Sequence, residues 1–180
     1  MPDAGNTLVY DFLGSLWTAP VGTPLPTLAI FGGAAFTPAT PWTNLGYVSE
    51  DGPEFATKDD VVGLRAWQSR AVVRNVSKGR ETTLTFDLLE WSSANATFAL
   101  GLDDDGTGLL TPSATAVESA VLVIVTDGDS RVGIGFPRAA LTLDAKVAFK
   151  PADWAPLPIV LTALAPTTGP EFSLYLPTAA

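Results

Sequence analysis

The run Asp103-Asp104-Asp105-Gly106 is the nearest approach in this chain to a calcium loop. An EF-hand needs oxygen ligands at alternating positions, Gly at the sixth and a bidentate acid at the twelfth. With Gly106 as the sixth position, Gly101 falls first and Pro112 last, so the pattern fails and the run reads as an acidic turn. Asp87 and Glu90 invite comparison with the carboxylate pair of a glycosidase. Their spacing has opposite parity on an extended strand, so the two acids cannot converge on one bond. Gly32-Gly33 and Gly133-Ile134-Gly135 lack the context of a phosphate-binding loop and read as points of close strand approach. Tryptophans 17, 42, 67, 91 and 154 could stack sugars or bases. Spread along a hydrophobic chain, such residues pack in a core or an interface far more often than they form a ligand platform.

Whole reaction classes are excluded by composition. The chain has no Cys and no His. Disulfides, thiolate-bound metal and thiol nucleophiles are gone, and so are the usual neutral-pH general base and every Ser–His or Cys–His hydrolase. No catalytic set, no metal site and no cofactor is expected. A net charge of −9 argues against gripping the outside of a nucleic acid, which needs basic patches to displace counterions. The sequons at Asn75 and Asn95 read as chance, since no secretion signal opens the chain.

Period-two alternation dominates the elements that must carry any function, and it marks half-buried strands. Leu84, Phe86 and Leu88 alternate with Thr83, Thr85 and Asp87. Val132, Ile134 and Phe136 alternate with Arg131, Gly133 and Gly135. Leu141, Leu143, Ala145, Val147 and Phe149 form another such set, as do Phe172, Leu174 and Leu176. Residues 120–126 form a continuous apolar, β-branched run, which predicts a strand buried on both faces. Lys78-Gly79-Arg80 and Asp127-Gly128-Asp129-Ser130 predict two hairpin turns. One short helix is predicted over 94–100, capped by Ser92 or Ser93 and ended by Gly101. The fold class is therefore mainly β with one short helix, in a single domain over residues 1–180.

Residues 42–62 lack a pattern and read as one long loop. It carries Glu50, Asp51, Glu54, Asp59 and Asp60 against Lys58 alone. Between Val61 and Arg80 every charge is positive: Arg65, Arg70, Arg74, Lys78 and Arg80. Only 16% of residues are charged and 47% are hydrophobic, with a mean hydropathy of +0.27. No window approaches the roughly 18 apolar residues of a spanning helix, so no membrane is expected. Burial of apolar surface against other copies of the chain explains the low charge better.

The phrase Trp42-Thr43-Asn44-Leu45-Gly46-Tyr47-Val48-Ser49-Glu50-Asp51-Gly52, followed by Ala66-Trp67-Gln68 and Val72-Val73-Arg74, resembles the major tail tube proteins of long-tailed bacteriophages, particularly those of actinobacteria. Residues 19–26, the strand 83–90 before a short helix, and Leu161-Thr162-Ala163-Leu164 with Gly169 fit the same family. The resemblance implies a structural virion protein with a β-sandwich or barrel-type fold, and no enzyme. Its strands are shared in a hexameric β-barrel ring, and stacked rings form the tail tube. The implied partners are copies of itself, the tape-measure protein and other tail proteins, with double-stranded DNA passing transiently and without specific binding. The implied place is the virion tail, assembled in the host bacterial cytoplasm. On this reading Trp42, Tyr47, Glu50, Asp51, Glu54, Asp59 and Asp60 of the 42–62 loop make an inter-ring contact. Arg65, Arg70 and Arg74 of another copy form the basic complement. The best candidates for barrel strands are a hairpin over 65–90 and the segments 132–136 and 141–149. The competing readings are a secreted carbohydrate-binding β-sandwich, and a tail terminator or baseplate protein of the same fold.

Overall fold

Burial on two faces makes β7 (Glu118–Asp127) the organising strand. A computed structural model describes residues 13–27, 37–68, 71–127, 130–143, 146–149 and 155–176. Val121 and Val123 point into a main core with Leu16, Leu84, Phe86, Leu88, Phe136, Leu157, Ile159 and Leu161. Ala120, Leu122 and Ile124 point the other way, into a second cluster with Ala19, Trp42 and Tyr175. The unbroken apolar run of the sequence is the signature of this double burial.

The other strands follow from that seed. β1 (Leu13–Ala19) pairs along one edge of β7, with Trp17 opposite Leu122, and carries β2 (Thr43–Asn44) on its far side. β8 (Ser130–Leu143) takes the other edge, closing the hairpin at Asp127 and Ser130 as expected. β8 is long enough to serve two neighbours. Its first half pairs with β10 (Ser173–Tyr175), and its second half pairs with β9 (Leu157–Ala163). β9 then bridges to β4 (Val72–Leu88), which pairs with β3 (Glu54–Arg65). The sheet order is β2-β1-β7-β8-β9-β4-β3. Residues from β1 and β4 meet in one core, so the sheet curls around it. Gly135 shows why β8 carries glycine: a Cβ there would lie 3.0 Å from Leu25 and 3.3 Å from Tyr175. Gly32 and Gly33 lie outside the described residues.

The helix α1 (Ser93–Leu100) forms where expected. Ser92 Oγ accepts the Asn95 backbone N–H at 3.1 Å, and Gly101 ends the helix in the left-handed region at φ 63°. Buried Asn95 donates from Nδ2 to the Leu45 carbonyl at 2.8 Å and the Glu90 carbonyl at 3.0 Å. This amide ties the chain before Gly46 to the end of β4. Asn95→Ala is expected to cost about 2 kcal/mol, since two carbonyls lose their donor. Ser92→Ala is expected to cost about 1 kcal/mol. Urea unfolding with an unchanged m-value checks both. Beyond the helix, β5 (Leu102–Asp104) and β6 (Leu110–Pro112) form a small separate hairpin.

Four expectations need correction. Residues 54–62 are not loop but strand, the first part of β3. Lys78-Gly79-Arg80 is not a turn; it lies inside β4, where the register slips between Asp60 and Val61 and Lys78 is the extra, bulged residue. The true hairpin turn follows Arg65, through Ala66-Trp67-Gln68. Segments 132–136 and 141–143 are one strand, and 146–149 is not strand. In β10 the inward residue is Tyr175, while Leu174 is exposed, because that strand closes the second cluster and not the main core.

Candidate assembly surfaces

Where β3, β4, β9 and the second half of β8 lie side by side, their core-facing residues are Leu84, Phe86, Leu157, Ile159, Leu161 and Leu141. Register sets the opposite face. Thr83 sits beside Thr162, and Thr162 beside Ala140; Thr85 sits beside Val160, and Val160 beside Thr142. Glu54, Ala56 and Lys58 extend the same rows on β3, opposite Thr85, Thr83 and Glu81. The result is a face of threonines and small side chains with an acidic margin at Glu54, Glu81 and Asp87. Such a surface has hydroxyls to meet water and no cationic cluster to hold phosphate.

Past Thr83, β4 loses β9 as a neighbour and continues paired with β3 alone. At about 3.3 Å per residue, the stretch 57–65 makes a two-stranded ribbon roughly 30 Å long. Every residue from 71 to 81 is exposed, as is nearly all of β3. An isolated two-stranded ribbon is marginal in water, and this one shows Val61, Leu64, Val72, Val73 and Trp67 to solvent, Trp67 at 97%. The root is better held. Phe55 packs edge-on against Phe172 at 5.5 Å and lies 6.3 Å from Phe136.

The structure redistributes the expected inter-ring residues. Trp42 is buried in the second core cluster and offers no surface anchor. Tyr47 is 78% exposed, and Glu50 and Asp51 lie in the exposed turn after it, tied to β4 by the Ser49 N–H donating to the Asp87 carbonyl at 2.9 Å. Glu54, Asp59 and Asp60 are on the ribbon instead. Asp59 meets Arg80 of the neighbouring strand, with Arg80 Nε donating at 2.7 Å. Acidic and basic stretches are therefore joined within one chain at this point. Arg65 and Arg74 stand near the ribbon tip, on adjacent rungs. Arg70 lies outside the described residues.

Hydrogen bonding to Arg80 holds the Asp59 carboxyl below the usual Asp range. The paired contacts of Arg138 with Glu118, at 2.8 and 3.0 Å, lower Glu118 in the same way. A depressed carboxylate adds stability above its unfolded pKa and loses it as pH falls through the folded value. The Asp59–Arg80 pair is exposed and the Glu118–Arg138 pair is still about one-third open to water, so solvent screening keeps the contribution small. Arg80→Ala should raise the Asp59 midpoint toward the ordinary value and leave Glu118 where it is. Carboxyl-carbon NMR titration reads this directly.

Sequence reasoning missed a cleft of roughly 590 Å³ lined by Tyr47, Val48, Leu89, Glu90 and Trp91. It forms because Leu89 N–H donates to the Tyr47 carbonyl at 2.9 Å, laying that segment along the end of β4. Trp91 is pinned by its Nε1 donating to the Ala155 carbonyl at 2.6 Å and meets Phe149 with the rings tilted, 5.5 Å apart. No contiguous sequence signal joins residues 47, 91 and 149. Arg131 was also missed: it is 5% exposed, on the β8 face with Gly133 and Gly135. The Asp104 and Asp105 carboxylates serve their own turn, accepting backbone N–H groups of Gly106 and Thr107. Among the described residues no cluster of acids is arranged to hold a metal ion, and no helix is long and apolar enough to cross a membrane.

Comparison with known proteins supplies the remaining finding. The family model described as phage tail tube protein matches residues 1–178. The major tail protein Gp23 of Mycobacterium phage L5 is 28% identical over 164 residues, covering 86% of this chain and 81% of that protein.

Proposed function

The chain belongs to the phage tail tube protein family, and from that premise we propose that its copies close into hexameric rings that stack into a hollow tube conducting the genome during ejection. It is a structural component of the virion tail and not an enzyme. The finer reading places the Thr83–Thr85–Thr142–Thr162 face of the sheet toward the lumen. The observation that carries it is the chemistry of that face: one side of these strands is core, and the other is polar and acid-edged without any core role. An acidic, hydroxyl-rich wall repels phosphates and lets DNA slide. Sharing β-strands among six copies removes open sheet edges, a requirement for a chain this poor in charge. The tape-measure protein occupies the lumen before the genome does, and assembly takes place in the host cytoplasm. The projecting ribbon is the arm by which one subunit reaches another.

Negative-stain microscopy and light scattering of the purified protein test this reading. Six-membered rings or tubes support it. A monomer under every condition that supports tail assembly overturns it.

A further inference from the structure

We propose that the tip of the β3–β4 ribbon of one subunit docks into the cleft of Tyr47, Val48, Leu89, Glu90 and Trp91 on a second copy. The proposal rests on the reading of this chain as a polymerising tube subunit and names the two surfaces that meet. The tip is apolar and basic. Leu64, Trp67, Val72 and Val73 are each about half exposed or more, and Arg65 and Arg74 supply the charge. No acid occurs between residues 61 and 80. The cleft is apolar and acidic. Tyr47 and Trp91 are exposed aromatics, Glu90 lines the cleft, and Glu50, Asp51 and Asp87 lie on the two segments that form it. No Lys or Arg occurs in 41–57 or 81–101. Lys146, three residues before Phe149, is the described cation on the remaining neighbouring segment.

Position decides the occupant. The tip lies at the start of β4 and the cleft at its end, so seventeen residues of strand separate them, roughly 50 Å at about 3.3 Å per residue. A subunit cannot fold its own ribbon back onto its own cleft without breaking that strand. The contact must join different copies, and it joins two different patches. A head-to-tail contact of this kind propagates as an open polymer unless rotation closes it. Aromatic side chains entering a cleft supply affinity, while the opposed charges set orientation and encounter rate.

Because the chain has no Cys, engineered thiols report without background. Trp67→Cys and Tyr47→Cys subunits, mixed under polymerising conditions with a short bismaleimide, are expected to give covalent dimers well above a Trp67→Cys and Val21→Cys control mixture. Tubes that form with no excess of the first dimer overturn the docking and leave the tube reading intact. Wild-type protein that never polymerises overturns the tube reading itself. Should the thiol variants fail to assemble, charge exchange is the second measurement. Arg74→Glu should raise the critical concentration about tenfold or more by setting like charges together, and adding Glu90→Arg should restore it. Failure of that rescue overturns the proposal.

Discussion

Replacing residues 59–80 by an Asn-Gly turn yields a folded monomer that makes no tubes. Lys58 and Glu81 already face each other across β3 and β4, so a two-residue hairpin loop can close the shortened ribbon there. None of the described residues among them is buried, and nearly all are exposed, so they contribute little to the core. The loss of the Asp59–Arg80 pair costs little because it too is exposed. The melting temperature should therefore move by only a few degrees, an effect of about 1 kcal/mol in a domain of this size. Assembly, in contrast, should vanish, because the arm and its aromatic tip go together. Light scattering and microscopy on one preparation measure both halves. Normal tubes from this variant would show that the ribbon is dispensable. An unfolded product would show that its exposed strands stabilise the monomer after all.

Phe136→Ala should produce the largest loss of stability, about 3–5 kcal/mol. The Phe136 side chain is fully buried and makes a triangle of rings with Phe55 at the ribbon root and Phe172 of the C-terminal segment, at 6.3 and 6.4 Å. Truncation opens a cavity at the point where three parts of the chain meet. Against a typical total of 5–15 kcal/mol, that shifts the melting temperature by roughly 10 °C or more, at about 2–4 °C per kcal/mol. Calorimetry of the monomer checks it. A shift under 2 °C would mean that the ring sits in a site able to collapse around the gap.

The strands legible in the sequence are those with one dry face inside the chain. Leu84, Phe86 and Leu88 alternate because water meets one side of β4 and the core meets the other. Ala120–Ile124 is unbroken because β7 has no wet side. The helix announced itself through local chemistry, the Ser92 cap and the Gly101 stop. β3 gave no such signal because the isolated subunit wets both of its faces. With no dry face it carries no apolar alternation, so residues 54–62 read as loop. The bulge at Lys78 misled for a related reason: Gly79 marks irregular backbone, and a bulge and a turn ask the same freedom of it. Tyr47 is exposed and Trp42 is not, a difference that no local pattern carries, because Trp42 is buried among residues such as Ala120, Leu122 and Tyr175 far along the chain. The cleft needed three remote segments brought together, which no spacing rule encodes.

β9 holds a place in the sheet that is out of step with its place in the chain. It is the last long strand, Leu157–Ala163, yet it lies between β8 and β4 and joins the two halves. A ribosome delivers residues in order, so β4 emerges well before β9 and waits with one edge unfilled, while β8 precedes β9 by only a short stretch of chain. A nascent chain thus carries its ribbon long before it has a finished body to present it. Only the arrival of residues 157–163 completes the sheet, so the order of synthesis sets the closing of the body after the making of the ribbon.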